Sequence, residues 1–129
     1  MMHQLLTLGK VFDRREWVET ARRAAAAMRT AFRDHPATYS HWGSLMARLA
    51  FETHEFVVAG ATAFDDYAAV ERQCRQRALV VHLSQPDDEI PLLAYRFRPE
   101  TTLYACDENG CLPPITKDVV SAAQKIVVP

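Results

Sequence analysis

The sequence predicts an α/β protein (α+β overall). Helices come first, followed by a small, at least partly parallel three-stranded sheet with a crossover helix and a C-terminal helix. Three observations predict it. The run His54-Glu-Phe-Val-Val-Ala-Gly60 is short, β-branched and stopped by glycine. A second run, Ala78-Leu-Val-Val-His-Leu83, is bounded by Arg77 and by Ser84-Gln-Pro-Asp-Asp88. Between them, Thr62 to Arg75 fits a helix of about four turns. A strand, such a helix and a second strand make a βαβ unit with parallel strands and a right-handed crossover. The character changes near residue 52, helical before it and mixed after it, which predicts segments at 1–51 and 52–129.

In chain order, Leu5, Leu6, Leu8, Val11 and Phe12 form the apolar face of a first helix, with Gly9 near its stop. A helix that begins so abruptly on a core face suggests that something precedes it. Asp13 is placed to cap a second helix, with Glu16 as its capping-box partner. Trp17, Val18, Ala21, Ala24, Ala25, Met28, Ala31 and Phe32 recur at helical spacing. The run Ala24 to Ala27 is strongly helix-forming and thin enough for close packing. Arg22, Arg23, Arg29 and Arg33 share the other side, as a solvated face or as a phosphate-binding one.

Asp34-His-Pro36 breaks the helix. A third helix, Ala37 to Phe51, carries Tyr39, Trp42, Leu45, Met46, Leu49 and Ala50 on one side. His41 and Trp42 read as core packing or as an aromatic platform for a sugar. Thr62, with Asp65 three residues on, is expected to cap the crossover helix. Pro91 makes Ile90 to Tyr95 a loop or an edge segment. Thr101 to Ala105 is the third strand, and Thr116 is expected to cap a last helix, Lys117 to about Ile126.

Composition narrows the function. Hydrophobic residues make up 49% of 129 residues, too many for a disordered chain. The net charge is −1 and no basic stripe offers itself, so no nucleic-acid partner is expected. The apolar runs are too short to span a membrane, and the start lacks the features of a signal peptide. Three unevenly spaced cysteines argue against a disulfide framework and for a reducing, cytoplasmic setting.

The residues that could carry chemistry are few. Cys106 and Cys111 flank Asp107-Glu-Asn-Gly110, whose Asn-Gly is a turn signal that lets the sulfurs approach. A zinc site would need a second ligand pair, and the histidines supply no matching spacing. A redox pair is open, although the spacing is not Cys-x-x-Cys. So is a purely structural turn with small buried cysteines, touching or loosely bridged. Gly60, Ala61 and Thr62 stand where a strand passes into a helix, a position at which α/β sheets bind anions, yet they match no dinucleotide or P-loop pattern. His54, His82 and Glu55 lie at strand positions, where hydrogen-bonded packing is the commoner role, and Asp87, Asp88 and Glu89 form an acidic turn. No metal, cofactor or catalytic residue is expected from these pieces.

Phe12-Asp-Arg-Arg-Glu-Trp17, Tyr39-Ser-His-Trp42, the Glu-Phe-Val-Val-Ala-Gly strand, Ile90-Pro-Leu-Leu93 and the closing Leu103-Tyr-Ala-Cys-x-x-x-x-Cys-x-Pro-Pro114 occur in that order. This order resembles the extreme C-terminal part of the YyaL-type, spermatogenesis-associated thioredoxin-like proteins, over nearly the whole chain. Tyr104, Cys106, Cys111 and Pro114 are its most specific part. The resemblance implies that residues 1–51 are the last helices of an α/α toroid and that 52–129 are a small α/β appendage. It implies as partners the thioredoxin-like and toroid regions of a larger protein, and it places no catalytic residue here. The expected function is therefore a non-catalytic structural or docking module. The alternatives are a thiol-redox accessory using Cys106 and Cys111, or a binder of small anions at Gly60 to Thr62. Helix faces parted from such partners favour self-association, so a homo-oligomer is also expected.

Overall fold

The structure, a computed structural model, describes residues 1–128. It forms two compact units, one from Met1 to Phe51 and one from Glu52 on.

The first unit holds α1 (Met2–Val11), α2 (Arg15–Ala27), α3 (Arg29–Asp34) and α4 (Ser40–Phe51). Its core is Leu6, Ala21, Ala25 and Leu45, with Val18, Trp42, Met46 and Leu49 packed around them. The small side chains allow close helix packing: a Cβ at Gly9 would lie 2.8 Å from Val18 Cγ2. Trp42 thus packs on the core rather than standing out as a platform. The arginine face is solvated, with exposed ion pairs Arg22–Glu19 at 3.5 Å and Arg33–Asp34 at 2.9 Å.

Three details differ from expectation. Asp13 does not cap α2; it takes φ +50°, and Arg14 stands at the N-cap with no side-chain hydrogen bond. The periodic face from Trp17 to Phe32 is not one helix, because Met28 (φ −90°, ψ 0°) separates α2 from α3. The third predicted helix starts at Ser40 rather than Ala37. Residues 36–39 form turns instead, with Tyr39 N donating to His35 O at 3.1 Å.

The second unit holds β1 (His54–Ala59), α5 (Phe64–Cys74), β2 (Ala78–Leu83), β3 (Thr102–Asp107), β4 (Gly110–Cys111) and α6 (Val119–Val127). The strand order is β2-β1-β3-β4. The expected α/β class holds, and β1 pairs parallel with β2 through the α5 crossover, His54 opposite Ala78 and Ala59 opposite Leu83. β3 runs antiparallel to β1, Glu55 opposite Cys106 and Val57 opposite Tyr104. The short β4 adds a fourth strand where three were predicted.

Alternation along the strands gives the sheet two faces. Phe56, Val58, Ala78, Leu103 and Ala105 meet Val70 and Cys74 of α5 and Val119 and Ala123 of α6 in one core. Glu55, Val57, Tyr104 and Cys106 point the other way. The connection from Ser84 to Thr101 returns over that side, where Arg96 sits 5.7 Å from the centre of the Tyr104 ring.

Ile90 to Tyr95 is a loop. Asp87 Oδ1 accepts from the amides of Glu89 (3.1 Å) and Ile90 (3.2 Å), and Asp88 Oδ1 accepts from that of Tyr95 (2.9 Å). The acidic turn therefore serves its own backbone. Neither predicted threonine cap forms. α5 starts at Phe64 behind Ala63, and α6 starts at Val119 behind Asp118, which adopts φ +49°. Thr62 and Thr116 lie one and two residues before the cap positions, and neither helix has a side-chain cap hydrogen bond. Among the described residues no helix is long and apolar enough to cross a membrane.

Candidate functional site

The hairpin from Thr102 to Ile115 brings together the chemistry that the second unit has to offer. Asp107 Oδ1 accepts from the amides of Asn109 (2.8 Å) and Gly110 (3.2 Å), which bends the chain. Gly110 takes φ +140°, a conformation that residues with side chains rarely adopt. Leu112 N then donates to Ala105 O at 2.8 Å. Beyond the Pro113-Pro114 gap, where no amide can donate, Leu103 and Ile115 exchange both backbone bonds, at 2.8 and 3.0 Å.

This register sets Cys106 directly opposite Cys111 as a non-hydrogen-bonded pair, the arrangement in which facing side chains come closest. Their Cα atoms are 4.0 Å apart and the sulfurs are joined. Among the readings left open by the sequence, the bridged pair is the one that forms: one local bridge spans the turn, and it is no framework. The sequence separation understated how closely a two-residue turn aligns the positions on either side of it.

The bridge has a cation beside it. Arg96 Nη2 donates to Cys111 Sγ at 3.7 Å. Burial lowers the guanidinium pKa below its ordinary value, while the charges of Glu55 and Tyr104 oppose that shift. Arg96 Nη1 is buried without an acceptor. Arg98 Nε donates to the Tyr104 hydroxyl at 3.1 Å, which ties down the ring beneath Arg96. Cys106 is 6% exposed, whereas Cys111, on the sheet edge, is open to solvent. A groove of about 280 Å³ runs beside the hairpin, bordered by His54, Ile126 and residues from Ala105 to Leu112.

Of the other predicted positions, His54 borders this groove and Glu55 pairs with Cys106, while the rest lie apart from it. Gly60 takes φ +140°, and a Cβ there would crowd Ala63 Cβ at 3.1 Å and Thr101 Cα at 3.2 Å. Ala61 and Thr62 are exposed, and the first turn of α5 carries Asp65 and Asp66. An anion approaching that helix end meets two carboxylates. His54 Nδ1 is 2.9 Å from Thr53 Oγ1. His82 stacks on Tyr67 at 5.3 Å and meets Phe64 edge-on at 5.9 Å. Cys74 is a core thiol whose pKa burial pushes above its ordinary 9.0. Among the described residues no group of three or more His, Cys, Asp or Glu side chains is placed to hold a metal.

Sequence reasoning missed Arg96, which lies fifteen residues from Cys111 across an irregular loop, so no local spacing marks it. It also missed the polar staple between α1 and α4. There Ser44 Oγ lies 3.3 Å from His3 Nε2, Arg48 Nη2 donates to Thr7 Oγ1 (3.0 Å), and the His3 and His41 rings meet at 4.5 Å. Compared with protein-family models, with curated proteins and with solved structures, the chain finds no match.

Proposed function

We propose that the chain is a non-catalytic structural and docking module of a larger thioredoxin-like, toroid-bearing protein. The observation that carries this reading is the apolar surface left open on the helical unit, where Met1 is 84%, Leu8 43%, Phe12 38% and Phe51 53% exposed. Side chains of that size on a helical pair with a thin core favour burial against a further surface. In this reading the toroid and thioredoxin-like regions are the partners, and a second copy of the chain substitutes for them when they are absent. The setting is the cytoplasm, and neither nucleic acid nor membrane takes part. Sedimentation equilibrium tests it. The chain should self-associate with rising concentration, and Leu8→Ser with Phe12→Ser should weaken that association about tenfold. A chain that stays monomeric at high concentration, with or without the substitutions, would sink the reading.

A second reading is favoured by the bonded pair. Cys106 and Cys111 form a reversible thiol–disulfide couple, with one sulfur open to solvent and a cation beside it. Equal thiol counts before and after mild oxidation of the reduced protein would remove this reading.

A further inference from the structure

We infer that Cys111 is the attacking thiol of a thiol–disulfide exchange site, that Arg96 activates it, and that Cys106 resolves it, with the disulfide of a small thiol as electron acceptor. This rests on the thiol reading above and gives it a direction.

The two sulfurs have unequal surroundings. Cys106 sits in β3 between two neighbouring strands, nearly closed to solvent, and its register partner on β1 is the carboxylate-bearing Glu55. Cys111 sits on the exposed edge strand with Arg96 Nη2 at 3.7 Å. A negative charge is thus favoured on Cys111 and opposed on Cys106. Position agrees with charge, because the sulfur that a partner can reach is also the one the guanidinium faces.

The guanidinium is held for the task. It lies over the Tyr104 ring, and Arg98 steadies the hydroxyl of that ring. Its Nη1 is buried and lacks an acceptor. A buried donor without a partner is costly, and a bridged sulfur is a weak acceptor. A thiolate at Cys111 accepts far more strongly, so ionising the reduced Cys111 gives the guanidinium a second negative neighbour beside Glu55. Around the pair, Glu55, Tyr104 and Asp107 are neutral or negative; His54 borders the groove and Arg98 bonds the Tyr104 hydroxyl, but the side chain that donates to the Cys111 sulfur is that of Arg96. Arg96 is therefore the activating charge.

The exchange balances as follows. The Cys111 thiolate attacks one sulfur of the acceptor, whose S–S bond breaks. The departing sulfur leaves with the bonding pair and takes a proton from water. Cys111 is then joined to the other half of the acceptor. Cys106 loses its proton and attacks Cys111 Sγ, forming the Cys106–Cys111 bond and expelling that second half as a thiolate. Two electrons pass from the protein dithiol to the acceptor, with one S–S bond made and one broken.

Iodoacetamide alkylation of the reduced protein, followed against pH, tests the assignment. Cys106→Ser leaves Cys111 reactive, and Cys111→Ser leaves Cys106. Cys74, 1% exposed, supplies only a slow background. At neutral pH the Cys106→Ser protein should react faster than the Cys111→Ser protein. Adding Arg96→Gln to Cys106→Ser should slow it about tenfold and move its profile to higher pH, while Arg96→Lys should restore most of the rate. An unchanged profile with Arg96→Gln would overturn the role of Arg96. A faster Cys106 would overturn the order of the sulfurs, a comparison that needs no change at Arg96. Oxidation of the unsubstituted dithiol by glutathione disulfide separates the two levels. If no bridge forms, the thiol reading itself fails. If it forms at a rate that Arg96→Gln leaves unaltered, only the present inference does.

Discussion

The helical unit and the α/β unit bury themselves in different ways. The first closes on Leu6, Ala21, Ala25 and Leu45, two of them alanines. The second closes on Phe56, Val58, Val70, Leu103 and Val119 among others, drawn from three strands and both helices. Its pairing is long-range, for β1 at residue 54 meets β3 after residue 101. The helical unit is joined largely between neighbours in sequence, and it has little apolar volume to offset the entropy of about fifty ordered residues. The contrast teaches that the α/β unit closes a large core of its own, whereas the helical unit has little apolar volume to close on.

That contrast can be broken or sharpened by experiment. Phe56→Ala should have the largest effect, costing about 3–5 kcal/mol and shifting the urea midpoint of the α/β unit, since its ring is fully buried. Leu45→Ala should cost about 2–5 kcal/mol in the helical unit, read by native-state hydrogen exchange. If α1, α2 and α4 lose protection while β1 keeps its own, the two units differ as described; equal loss in β1 would erase the distinction. Gly110→Ala should cost roughly 1–3 kcal/mol, because alanine at φ +140° is strained even though no atom lies within 4 Å of its Cβ. Its effect should appear as lost amide protection at Leu112 and Leu103.

The smallest effect is alkaline. Burial raises the folded pKa of Cys74 above 9.0, so the native state keeps its proton when the unfolded chain has lost its own. The stability from that thiol is complete below pH 9.0 and falls as pH rises through the folded value. Cys74→Ala should remove this slope in denaturation curves measured between neutral and alkaline pH, and the helical unit should show no such dependence on residue 74.

Much of this architecture was legible in advance. The β-branched runs ending at Ala59 and Leu83 mark a buried central strand and a half-buried edge strand, and the Thr62 to Arg75 segment between them leaves α5 little choice but to cross over. Caps were less legible. Asp13, Thr62 and Thr116 have the right chemistry, but the helices begin one or two residues later than their spacing implies, after backbone turns that no side-chain pattern records. The site was half legible. Cys106, Asp107, Gly110 and Cys111 announce a turn, and the bond follows once the register is known. Arg96 is placed by a loop held through Asp87 and Asp88, a tertiary fact with no periodic signal.

The strand order carries one more consequence. β1 lies between β2 and β3, so each of its sides is closed by a different part of the chain, and the second of these is made long after the first. During synthesis, β1, α5 and β2 emerge together, and the open side of β1 waits for Thr102 to Asp107. Until the chain beyond the Ser84 to Thr101 connection has left the ribosome, Phe56 to Ala59 keep an unpaired backbone edge, a template for sticking to other nascent chains. The irregular stretch that delivers Arg96 is thus also the interval over which the newborn chain most needs a chaperone.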